Sequence, residues 1–91
     1  MVKATIYTKQ TCPFCHAAKA LLQDKGLVYE EIDITGDESG RVAMIERAGG
    51  CHTVPQIFIA QSHIGGFDDL RALNDAGKLD ALLAGKGEPL S

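Results

Sequence analysis

Ala4-Thr5-Ile6-Tyr7-Thr8-Lys9-Gln10-Thr11-Cys12-Pro13-Phe14-Cys15-His16 decides how this chain is read. A short β-branched and aromatic run, Ala4 to Tyr7, leads into it, and the alanine- and leucine-rich segment Ala17 to Leu22 follows. The two cysteines therefore sit where a strand turns into a helix. At such a junction a Cys-x-x-Cys is first a redox pair and second half of a metal site. Proline fits the first helical turn, where its missing N–H has no partner to lose, so Pro13 puts Cys12 at the N-cap and Cys15 one turn inside. Free backbone N–H groups and the positive end of the helix dipole favour a thiolate at Cys12, and a nearby cation such as Lys9 adds to this. Cys12 is expected to attack, and the more buried Cys15 to resolve the mixed disulfide.

Ninety-one residues, 45% of them apolar and 23% charged, suit one small domain. The formal net charge is -3 and no lysine or arginine cluster occurs, which argues against nucleic acid and anionic membrane as partners. The N-terminus runs straight into a strand-like stretch without an export-type leader, and no segment is long and apolar enough to span a bilayer. A reducing cytoplasm is the expected compartment, and three cysteines exclude a fully paired disulfide framework.

Strand and helix signals alternate along the chain. Ala18, Leu21 and Leu22 recur at helical spacing and Gly26 stops the first helix, while Val28 to Ile34 is β-rich. Strand, helix and strand predict a right-handed βαβ unit with parallel strands. Asp37 or Ser39 caps a second helix, whose expected buried face is Val42, Ile45 and Ala48 and which ends at Gly49-Gly50. Gln56 to Ile59 and Ser62 to Ile64, joined by Ala60-Gln61, have hairpin spacing. Asp68 and Asp69 open a last helical region, interrupted at Gly77, that carries Leu70, Leu73, Leu79, Leu82 and Leu83. The prediction is an α/β domain over residues 1–84, with a mixed four-stranded sheet covered by helices on both faces, and a flexible tail over 85–91.

Three motifs together resemble the glutaredoxins of the small bacterial dithiol type: Lys9 with Thr11-Cys12-Pro13-Phe14-Cys15, then Thr53-Val54-Pro55-Gln56-Ile57-Phe58-Ile59, then His63-Ile64-Gly65-Gly66-Phe67-Asp68-Asp69-Leu70. The resemblance runs from Lys3 to about Leu83. It implies the thioredoxin fold, a cis bond before Pro55, catalysis by Cys12 and Cys15 through a redox disulfide, and glutathione as reducing co-substrate. It also implies a binding groove. Lys9, helped by Arg41, would face the glycine carboxylate, with Phe14 beside it. The Thr53-Val54 backbone ahead of Pro55 would pair with the cysteinyl unit as an added strand. The amides of Phe67 and Asp68, after Gly65-Gly66, would take the γ-glutamyl carboxylate, and the Asp68 side chain its ammonium. Phe14 stands where many members carry tyrosine, Phe67 where cysteine or serine is common, and the loop Gly49-Gly50-Cys51-His52 carries one residue more than expected.

The expected partners are glutathione, glutathionylated proteins and protein disulfides, with a reductase such as ribonucleotide reductase as a possible client and a monomer as the expected state. No metal is expected. The rival reading from another class is a non-enzymatic carrier of a metal or iron–sulfur cluster on Cys12, and a separate alternative for the Cys12/Cys15 pair is half of a structural zinc site completed by Cys51 and His52. His16, His52 and His63 read as surface residues and Cys51 as a lone loop thiol.

Overall fold

A computed structural model describes residues 3–60 and 62–79. Seven elements follow in order: β1 (Ala4–Thr8), α1 (Pro13–Asp24), β2 (Tyr29–Asp33), α2 (Glu38–Arg47), β3 (Gln56–Ile59), β4 (Ser62–Gly65) and α3 (Phe67–Asp75). The strands form one sheet in the order β2-β1-β3-β4. β1 is parallel to β2 and antiparallel to β3, and β3 and β4 make the antiparallel hairpin. This is the mixed sheet of the thioredoxin fold, and it corresponds to the expected architecture. Leu82, Leu83, the boundary at 84 and the tail 85–91 lie outside the described residues.

Alternation along the central strands builds two cores, one on each face of the sheet. Ala4, Ile6, Ile57 and Ile59 point to one face, where they meet Ala18 and Leu22 of α1, Leu70 of α3, and Leu79. Tyr7 and Phe58 point to the other, where they pack with Ile34, Met44 and Ala48. The helices are therefore split, with α1 and α3 over the first face and α2 over the second. Each core side chain is lost from water only because the sheet has a helix on both sides.

The face of α2 differs from the sequence expectation. Met44 is fully buried at 0% exposure and Ala48 is buried, whereas Val42 is 46% exposed and Ile45 only half-buried. A flexible methionine fills the space beside Phe58 that the β-branched residues were expected to fill, because Met44 and Ala48, one turn apart, share the stripe facing the sheet. Asp37, not Ser39, caps this helix, its carboxylate accepting from the Gly40 amide at 3.0 Å.

Thr8 ends β1 with its side chain buried, and its hydroxyl donates to Glu31 Oε2 at 2.7 Å. Lys19 on α1 donates to the same oxygen at 3.0 Å. The Thr8 hydrogen bond first, and Lys19 second, hold the Glu31 carboxyl below the usual glutamate range. At the end of β2, Thr35 plays the same part for Asp33: its side chain first, and second its amide, which donates to Asp33 Oδ1 at 2.8 Å, hold that carboxyl below the usual aspartate range.

Two measurements test this arrangement. Met44→Ala should lower unfolding free energy by about 2–5 kcal/mol, as for other buried large-to-small changes, while Val42→Ala stays within about 0.5 kcal/mol. Equal losses in urea titrations would mean α2 presents a different face. For Glu31 the folded pKa lies below the unfolded one, so its contribution is complete above the ordinary value of 4.5 and disappears as pH falls through the folded value. The urea midpoint of the parent should therefore drop more steeply than that of Glu31→Gln between about pH 5 and about pH 3. Parallel profiles would contradict the assignment.

Candidate active site

Cys12 occupies the N-cap of α1 in an extended conformation, with Pro13 in the first helical turn, as its sequence position demands. The Cys15 amide donates to Cys12 Sγ at 3.1 Å, so the sulfur does the work of a capping oxygen. Amides of Cys15 and His16 also reach the Cys12 carbonyl, at 3.1 and 3.2 Å. Cys12 and Cys15 are joined as a disulfide, with their Cα atoms 5.2 Å apart. Cys12 is 7% exposed and Cys15 1%, which puts the outer sulfur on the first cysteine and the inner one under the helix. A dithiol in this setting is asymmetric: the thiolate of Cys12 faces a donor N–H and a helix N-terminus, and that of Cys15 has neither solvent nor the same donors.

The loop between β1 and α1 is tied to the segment that leaves the neighbouring strand β2. The Gln10 amide donates to Thr35 Oγ1 at 2.9 Å, which links the approach to Cys12 with the end of β2. Across from the disulfide, the Val54–Pro55 peptide is cis, and the Val54 carbonyl oxygen lies 3.8 Å from Cys12 Sγ. Pro55 leads directly into β3, where a proline costs no ladder hydrogen bond.

A groove of about 290 Å³ runs from this point. Phe14 and Cys51 form part of its lining, Thr53, Val54 and Pro55 another part, and Gly65, Gly66, Phe67, Asp68 and Asp69 its far end. The exposed Phe14 ring stacks on Phe67 with centroids 6.3 Å apart, so the two aromatic residues that depart from the common pattern meet each other. At the far end the Phe67 and Asp68 amides belong to the first turn of α3, where helical partners are lacking. The Gly66 amide is already taken by Asp69 Oδ2 at 3.1 Å. Gly65 has φ +116°, and a side chain there would strike the Asp69 carboxylate, so this position needs glycine.

Of the residues singled out in the sequence, Phe14, Thr53, Val54, Pro55, Gly66, Phe67 and Asp68 line this one groove. Lys9 does not. It lines a second cavity of about 220 Å³ with Ile34, Gly36, Asp37, Glu38 and Arg41. Lys9 and Arg41 thus line one cavity together, and Glu38 lies 3.9 Å from Arg41 and offsets part of its charge. Among the described residues no hydrogen bond or ion pair joins Lys9 to either cysteine. Cys51 is exposed and His52 stands beside it in the loop, and no group of three or more His, Cys, Asp or Glu side chains that could hold a metal exists among the described residues.

Two residues of the site went unassigned in the sequence. Asp69 looked like an ordinary helix-opening acid, yet it fixes the Gly66 turn through the carboxylate half of a capping box, a signal present in its spacing from the N-cap. Gln56 was part of a motif without a role, and it is a polar residue only 3% exposed at the start of β3.

Among the described residues no helix is long and apolar enough to cross a membrane. Residues 4–64 match the family Glutaredoxin. The chain is 55% identical over 83 residues to glutaredoxin 3 of Escherichia coli K12, covering 91% of this chain and 99% of that protein. The solution structure of a Brucella melitensis glutaredoxin matches with a TM-score of 0.83 at 50% identity, over 99% of this chain and 96% of that one. A buckwheat glutaredoxin solved in complex with glutathione matches with a TM-score of 0.81 at 30% identity, over 92% of this chain and 78% of that one. With a disulfide-forming Cys12-Pro13-Phe14-Cys15 at a helix N-terminus and sequence relatives across nearly its whole length, the chain belongs to the glutaredoxin family of thiol–disulfide oxidoreductases.

Proposed function

We propose that this protein is a glutathione-dependent oxidoreductase that reduces protein–glutathione mixed disulfides and protein disulfides in the cytoplasm, with Cys12 as nucleophile and Cys15 as resolving thiol. The observation that carries the reading is the continuity of Cys12 with a peptide-sized groove. The Val54 carbonyl stands 3.8 Å from Cys12 Sγ, and Val54 also lines the groove that ends at the first-turn amides of α3. Glutathione is an extended tripeptide with two carboxylates and one ammonium. An extended backbone edge for its middle, N–H groups for its γ-glutamyl carboxylate and the Asp68 carboxylate for its ammonium match that chemistry. Lys9 and Arg41, which line a second cavity, are the cations this reading assigns to the glycine carboxylate.

The Cys12 thiolate attacks the glutathione sulfur of a mixed disulfide. A bond forms between Cys12 and glutathione, the bond to the substrate protein breaks, and that protein's thiolate leaves and takes a proton. A second glutathione thiolate attacks the glutathione sulfur on Cys12, giving glutathione disulfide and the free Cys12 thiolate. Cys15 takes no part in this cycle. With a protein disulfide, Cys12 forms the mixed disulfide and the Cys15 thiolate then attacks Cys12 Sγ, releasing the substrate dithiol and leaving the Cys12–Cys15 bond for two glutathiones to reduce.

Cys15→Ser should sustain glutathione-driven reduction of a glutathionylated peptide, while Cys12→Ser should show none. Loss of turnover in Cys15→Ser with an active parent would mean an obligatory dithiol cycle. An inert parent would remove the enzyme reading and favour the metal or cluster carrier.

A further inference from the structure

Gln56 sits at the mouth of β3 with its side chain buried, on the sheet face that holds Phe58. Its amide nitrogen donates to the Thr53 carbonyl at 2.9 Å and lies 3.3 Å from Thr53 Oγ1. Its amide oxygen meets His63 Nε2 at 2.6 Å. Because the nitrogen end of the amide is committed to Thr53, the oxygen end is the acceptor, and His63 must carry its proton on Nε2 and donate. The His63 ring is held in turn by stacking on Phe58, with centroids 4.9 Å apart. Arg47 covers Phe58, its guanidinium carbon 4.2 Å from the ring centroid, and reaches the Tyr7 hydroxyl at 3.3 Å. The chain of contacts thus runs from the second core to one carbonyl in the groove wall.

That carbonyl fixes a direction. In a trans peptide the C=O and the following N–H point opposite ways, so holding the Thr53 C=O toward Gln56 turns the Val54 N–H away from it. The Val54 N–H has no acceptor among the described residues, and Val54 lines the groove. A free donor beside the Val54 carbonyl is the half-ladder that an added strand requires. We propose that Gln56 and His63 are positioning residues that set the Thr53–Val54 peptide plane, and through it the Val54 N–H that receives the cysteinyl unit of glutathione. The inference rests on the function proposed above. It makes the pair determinants of affinity for the glutathionyl half of a substrate, with no part in sulfur chemistry.

The test is steady-state reduction of a glutathionylated peptide by Gln56→Leu and His63→Phe, together with alkylation of reduced Cys12 by iodoacetamide, which needs no groove. His63→Phe keeps a ring for Phe58 on an exposed edge strand, so it retains the fold if Gln56→Leu does not. The expected result is a KM for the peptide raised roughly fivefold to tenfold, the worth of one hydrogen bond, with kcat and the alkylation rate within about twofold. His63→Gln, which restores a donor, should recover part of the KM. An unchanged KM in both variants of an active parent overturns the clamp alone. So does a fall in KM-independent terms, with alkylation and melting temperature lost in parallel, since that is a general structural role. An inert parent overturns the glutathione reading and the clamp with it.

Discussion

The hydrogen bond from the Cys15 amide to Cys12 Sγ is the constraint on which the site turns. It makes a sulfur the cap of α1, so the residue that ends the loop also begins the helix. Pro13 fits because the helix has just started, and Cys15 is buried because it lies one turn further in. A capping sulfur is held near donors that stabilise its negative form, and the same geometry keeps the second sulfur within bonding reach. Stability of the helix end and reactivity of the thiol come from one interaction.

Everything else at the site is brought to that sulfur by the sheet. β1 is central and carries the loop that ends at Cys12, with β3 as its antiparallel neighbour. The segment entering β3 therefore passes beside the segment leaving β1, which puts Val54 next to Cys12 although 42 positions separate them. β4 then returns along β3 and delivers Gly65, Gly66 and the start of α3 to the same edge. The two cores fix this order. Ile6, Ile57 and Leu70 bind α1 and α3 to one face, and Phe58 with Met44 binds α2 to the other, so the sheet has no slack in which its strands could shift register.

The second core also reaches the groove. Phe58 is met edge-on by Tyr7, has Arg47 over its ring and stacks with His63, and His63 leads through Gln56 to Thr53. A buried amide with both ends satisfied has one low-energy orientation, and this one aims a backbone plane. The polar residues of the second face thus serve the rim of the sheet, where apolar packing alone would leave the loop before Pro55 free to rotate.

Much of this was legible in residue order. Cys12-Pro13-Phe14-Cys15 between a β-branched run and an alanine-rich segment specifies a strand, a cap and a helix, because proline, helix-terminating glycine and alternating apolar residues act within one or two turns. The four strands and three helices followed from the same local rules, whereas the residues gathered in the groove were implied by the resemblance of their motifs to the glutaredoxins. The buried face of α2 was not legible: Val42 and Met44 are both apolar, and only the position of Phe58 across the sheet decides which one is covered. Nor was the absence of Lys9 from the groove lining, the stacking of Phe14 on Phe67, or the roles of Gln56 and Asp69. Sequence determined where each element begins, which sulfur comes first and which residue types were available. Tertiary structure alone decided which side chains meet across tens of residues, because hydrogen bonds and ring contacts depend on distances that only the packed sheet fixes.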